Sequence, residues 1–123
     1  MTGQDPWLLP FLRMMSVRPG AYLGGSETVS TLELYLTAYS FARTELGFPE
    51  FGMGEDALLK DFQDWLSKRL VLTSTLGWAG LIARIDPSPR NVHSFIRYFD
   101  EFLRSTGIGE GLGPHVAKPD GSP

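Results

Sequence analysis

Apolar residues recur along this chain at three- and four-residue spacing, in blocks separated by glycine- and proline-rich breaks. That period is helical. The spacing predicts a short first helix from Pro6 to about Val17, with Pro10 tolerated near its start. Pro19 ends it by pushing Arg18 out of the helical region. A second helix begins at Ser26 or Thr28, with Ser30-x-x-Glu33 as a rival capping box. Val29, Leu32, Leu36, Tyr39, Ala42 and Leu46 form its apolar row, and Gly47 stops it. A third helix runs from about Glu55 to Leu70, with Leu58, Leu59, Phe62, Trp65 and Leu66 on one side. Its acidic first turn and basic last turn complement the helix dipole.

Thr73-Ser74-Thr75 breaks the pattern. Gly77 to Ile82 reads as a short helix, with a buried strand as the alternative. After the turn at Asp86-Pro87, Ser88 is a natural N-cap and Pro89 a natural first helical residue. The last helix carries Val92, Phe95, Ile96, Phe99, Phe102 and Leu103 and stops near Gly107. The expected fold is an all-α, single-domain, irregular bundle of about five helices over residues 1–106. Residues 107–123 are rich in Gly and Pro and read as a flexible tail.

Composition narrows the function classes. The chain has 123 residues, enough for one domain with a real core, and 42% of them are hydrophobic. It has no cysteine, which removes disulfides and thiolate metal sites and fits a reducing cytoplasm. The net charge of −3 argues against non-specific nucleic-acid binding and is compatible with a basic protein partner. No apolar run approaches the ~20 residues of a membrane span. Trp7 to Leu12 is too short for a signal-peptide core.

Candidate chemistry is sparse. No Gly-x-Ser-x-Gly elbow is present. His93 borders the apolar row of the last helix and reads as a half-buried or surface histidine, and His115 lies in the tail. Asp61 and Asp64 are able to share a cation. Asp56-Lys60 and Asp64-Lys68 at i,i+4 explain them better as a solvated, paired face. Gly24-Gly25-Ser26 before a helix, with Arg18 near in sequence, offers backbone N–H groups to an anion, but no Gly-Lys-Ser/Thr follows. Neither a cofactor nor a metal is expected.

The segment Arg18-Pro19-Gly20-Ala21-Tyr22-Leu23-Gly24-Gly25 carries two resemblances. It is similar to the segment that opens the ATPase domain of gyrase-type topoisomerases. That family's next helix holds magnesium and nucleotide through Glu and Asn, whereas Leu32 to Phe41 here contains no Asn. The later Asp-x-Gly-x-Gly motif is also missing. A structural role remains: Arg18 ends a helix, Pro19-Gly20 turns the chain, and Tyr22 and Leu23 plug the core.

The second resemblance runs from about residue 8 to 104. Arg18 to Gly24, Ser26 to Tyr39, Phe62-Gln63-Asp64-Trp65-Leu66, Ser74 to Ile82 and Phe95 to Phe102 follow in order. This order resembles a family of small bacterial all-helical proteins, some of them suspected toxin-immunity proteins. Ala21 stands where that family usually has Met, and Gly is missing before Tyr39. The resemblance brings no catalytic residues.

It implies a non-enzymatic, cytoplasmic protein that binds another protein, with a basic secreted toxin as the concrete partner. Between Glu45 and Asp64 lie Glu45, Glu50, Glu55, Asp56, Asp61 and Asp64 against a single Lys60, bracketing Phe48 and Phe51. Acidic residues around aromatic anchors suit such a partner. The other readings are an oligomeric helical regulatory or housekeeping module, with the aromatic surplus as a homodimer seam, and a small enzyme or nucleotide-binding protein.

Overall fold

The periodic blocks become α1 (Leu8–Val17), α2 (Pro19–Tyr22), α3 (Val29–Glu45), α4 (Glu55–Leu70), α5 (Gly77–Ile85) and α6 (Val92–Ser105). The structure, a computed structural model, describes residues 8–46, 55–72, 75, 77–107 and 111–116, without the side chains of 43, 44 and 55–57. Among the described residues the chain is an all-α single domain with no strand. The expected fourth element is therefore helix rather than strand, three residues longer than the sequence suggested. The sixth helix is α2, a single turn where a loop was expected. Pro19 at its first position has the φ a helix needs and no N–H to leave unpaired.

Two helix starts are set by side chains. Thr28 caps α3, its Oγ1 accepting from the Thr31 N–H at 3.2 Å. This selects Thr28 over Ser26 and over the rival box at Ser30. The last helix begins at Val92, later than the Ser88 cap predicts. The reason is local: Asp86 Oδ1 accepts the Ser88 N–H at 3.1 Å, an Asx turn that holds this stretch out of the helix. Asn91 then ties the two helix starts together. Its Oδ1 accepts the Val29 N–H at 2.8 Å, and its Nδ2 donates to the Asp86 carbonyl at 2.9 Å. The Val92 N–H reaches back to the Glu27 carbonyl at 2.9 Å.

The core lies where α4, α5 and α6 meet. Phe62 packs against Phe95, Phe99 and Phe102 at ring separations of 5.6, 4.9 and 5.5 Å, edge-on in each case. Trp78 closes on Phe95 at 5.0 Å. Edge-to-face pairs at such distances add to the burial of each ring. Every apolar residue expected on α6 is buried.

Two expectations about packing change. On α3, Val29, Leu32 and Leu36 are buried as predicted, but Tyr39, Ala42 and Leu46 face solvent. The buried row continues from Leu36 to Ser40 instead. On the C-terminal side, residues 111–116 are packed, in contrast to the tail read from the sequence. Leu112 and Val116 are 1% and 6% exposed. Buried Asp100 anchors them: its Oδ1 accepts the Leu112 N–H at 2.7 Å, and its Oδ2 accepts Arg104 Nε at 2.8 Å. Gly111 has φ +66°, and a Cβ there would collide with Asp100 Oδ1. Arg13 Nε donates to the Gly111 carbonyl at 3.1 Å, binding the segment to α1. Residues 108–110 and 117–123 lie outside the described residues.

Asn91→Ala leaves the buried Val29 N–H and the part-buried Asp86 carbonyl without this partner. The expected loss is about 1–3 kcal/mol, read as a lower urea midpoint at unchanged slope. A midpoint equal to wild type contradicts the clasp.

Candidate functional site

Three regions carry side chains able to meet a ligand or partner. The first is the acidic stretch expected from the sequence. Glu45, Asp61 and Asp64 are exposed. Phe48, Glu50 and Phe51 lie outside the described residues, as do the side chains of Glu55 and Asp56. Asp64 pairs with Lys60 at 3.8 Å, not with Lys68 as its spacing suggested. An exposed pair of this kind adds little to stability.

The second region surrounds the Arg18–Gly25 segment. Arg18 is exposed and makes no ion pair among the described residues, and Pro19 is buried. Leu23 is buried in the core as expected, whereas Tyr22 stays at its rim, edge-on to Phe11 at 6.0 Å. Gly24 and Gly25 form the exposed turn after α2, where the Gly25 N–H bonds the Gly20 carbonyl at 2.7 Å. Gly20 has a steric reason: a Cβ there would stand 2.8 Å from Glu27 Oε2. The Glu27 carboxylate is clamped on its other side. Its Oε1 accepts His93 Nε2 at 2.5 Å and Arg90 Nε at 3.1 Å. These two bonds, His93 first, hold the Glu27 carboxyl below the ordinary carboxylate range. Asp86 is held low as well, chiefly by the Ser94 hydroxyl and then by Ser88.

Beside this clamp, α1, α6 and the returning segment enclose a cleft of about 260 Å³ lined by Ser16, His93, Ile96, Arg97, His115 and Val116. The two histidines of the chain thus meet in one place, although the sequence separates them by 22 residues. His115 Nε2 lies 2.6 Å from Ser16 Oγ. That pair is not an activated nucleophile. Ser16 Oγ donates its proton to the Arg13 carbonyl at 2.9 Å, so His115 Nε2 must be the donor toward Ser16. A ring nitrogen that donates cannot deprotonate the hydroxyl it faces. Among the described residues no group of three or more His, Asp or Glu gathers as a metal site would.

The third region was not expected. At about 100° per residue, Leu34, Tyr35, Tyr39, Phe41 and Leu46, spaced by Ala38 and Ala42, fill an exposed arc of roughly 160° along α3 and its last turn. Leu34, Phe41 and Leu46 are 69%, 67% and 74% exposed. Tyr35 stacks flat on Phe11 at 5.1 Å and 8°. A groove of about 240 Å³, lined by Pro10, Phe11, Met14, Tyr35 and Tyr39, runs between α1 and α3. The sequence signal for this face was present: α3 has apolar residues on nearly every side. A helix of that kind is buried on both faces or bound on one.

No helix among the described residues is long and apolar enough to cross a membrane. No protein-family model, curated protein sequence or solved structure matches the chain.

The Glu27 and Asp86 interactions predict a specific acid response. Both carboxyls sit below their unfolded values, so their stabilisation is present above the ordinary carboxylate range, about pH 4. It is lost as pH falls through their folded values. Urea midpoints measured from pH 6 down to pH 3 fall steeply in wild type and more shallowly in Glu27→Gln. Parallel curves for the two proteins contradict this assignment.

Proposed function

We propose that this protein acts by binding another protein, without catalysis, through the exposed apolar face of α3 and the adjoining α1 groove. The carrying observation is the exposure of Leu34, Phe41 and Leu46 on one helix whose opposite face is core. Contiguous apolar surface of this kind marks interaction sites on small proteins. Two tyrosines, Phe11 and Met14 around a groove have the make-up of an interface centre, where aromatics carry most of the binding energy.

The charge around the face favours a basic partner. Glu45 lies within the apolar arc and is exposed. A basic group on the partner complements it. Together with the family resemblance, this supports the concrete reading of a cytoplasmic immunity protein that neutralises a basic toxin. The working face then differs from the Glu45–Asp64 stretch and shares only Glu45 with it.

The test is direct. The purified chain is titrated by calorimetry with the product of the adjacent open reading frame. Leu34→Glu and Phe41→Glu, both at exposed sites, are expected to keep the helical spectrum and weaken binding by about 100-fold or more. Full affinity in both variants overturns the assignment of the face. Sedimentation of the chain alone as a dimer, abolished by Phe41→Glu, gives the face to a second copy and overturns the foreign-partner reading.

A further inference from the structure

We infer that Met14 is a site of reversible oxidation, through which a peroxide closes the α1–α3 groove to its partner. The inference rests on the reading of that groove as a docking surface and adds its regulation.

Sulfur chemistry in this chain belongs to methionine alone, because there are four methionines and no cysteine. Met14 and Met15 are neighbours on α1 with opposite surroundings. Met15 is 0% exposed and lies in the core with Leu8 and Leu12. Met14 is 53% exposed and lines the groove with Pro10, Phe11, Tyr35 and Tyr39. The helix itself makes this difference. Successive residues are turned by about 100°, and Leu8, Leu12 and Met15 take the inward side. A thioether is oxidised only where the oxidant reaches its sulfur, so Met14 is open to attack and Met15 is shielded.

The step is an oxygen transfer. A sulfur lone pair of Met14 attacks one oxygen of hydrogen peroxide. The S–O bond forms as the O–O bond breaks. The second oxygen leaves as hydroxide, takes the proton from the transferred oxygen and departs as water. Sulfur is oxidised by two electrons and the peroxide is reduced, giving a sulfoxide that methionine sulfoxide reductases return to the thioether.

The thioether is apolar, flexible and suited to contact with aromatic rings. Phe11 and Tyr35, stacked at 5.1 Å, join the two walls of the groove that Met14 lines. The sulfoxide is polar and carries an acceptor oxygen. An apolar partner side chain seated in the groove strips water from that oxygen without supplying a donor, and affinity falls. Because Met14 lies on the exposed side of α1, the buried rows are untouched. Oxidation therefore acts on docking and leaves the fold in place.

The full chain is treated with hydrogen peroxide under native conditions, and each methionine is followed by peptide mass spectrometry. Met14 is expected to oxidise at least about fivefold faster than Met15. Binding is then measured to the product of the adjacent open reading frame and to the apolar dye bis-ANS. Oxidation is expected to weaken the first by about tenfold and to lower the second, with the helical spectrum unchanged. Methionine sulfoxide reductases are expected to reverse both effects. Met14→Leu, compared with its own untreated form, is expected to lose no affinity on treatment. Equal rates at Met14 and Met15, unchanged binding by the oxidised chain, or the same loss in Met14→Leu overturns the inference. An unoxidised chain that binds the dye but not the product overturns the protein-partner reading alone, and the dye then decides the role of Met14. An unoxidised chain that binds neither overturns both.

Discussion

The buried amide of Asn91 fixes the arrangement on which the other features depend. One side chain accepts the first N–H of α3 and donates to the carbonyl of Asp86, 62 and 5 residues away. Both partners are strong backbone hydrogen-bonding groups, and burial would leave the Val29 N–H unpaired without the amide. The amide therefore sets where α3 starts, which way it turns and how the Asp86 turn delivers the chain into α6. Beside it, Val92 N–H to Glu27 carbonyl and the Glu27–His93–Arg90 clamp repeat the same connection at the surface. The Arg18–Gly25 segment fits this junction sterically, with Gly20 leaving room for the Glu27 carboxylate.

With its start fixed, α3 has no freedom to choose which face it buries. Val29, Leu32, Leu36 and Ser40 turn inward, and the arc from Leu34 to Leu46 is left outside. The inward row is the one closed by a serine, while the outward one carries Phe41 and two tyrosines. Burial alone would prefer the reverse at the C-terminal end of the helix. The larger aromatic core formed by Phe62, Phe95, Phe99 and Phe102 is complete without α3's outer face. An outer face left apolar by this arrangement is what the protein-binding proposal rests on. The separate junction of α1, α6 and residues 111–116 collects the histidines and Arg97 into the polar cleft.

The sequence carried the helices whose apolar rows are unambiguous. Helix α6 has one apolar side, and each residue expected there is buried. Helix α4 has the bounds its caps and charges suggested. Ambiguity entered at α3, where apolar residues on nearly every side allow two rows that diverge after Leu36. Spacing cannot choose between Tyr39 and Ser40 when a contact 62 residues away decides the rotation. The returning segment was missed for a related reason. Leu112 and Val116 are isolated apolar residues among Gly and Pro, and their partner is an acidic residue, Asp100, on an otherwise apolar helix face. The cleft depends on that return, so its histidines looked unrelated along the chain. The acidic stretch from Glu45 to Asp64 was visible as composition, but composition does not say which residues share a surface.

The central claim is that α3 is core on one side and open on the other. Hydroxyl-radical footprinting of the purified full-length chain measures this residue by residue. The account predicts rapid oxidation of Leu34, Tyr35, Phe41 and Met14, with Phe62, Phe95 and Phe99 resistant. Protection of Phe41 and Leu34 equal to that of Phe62, in a sample shown to be monomeric, would contradict it.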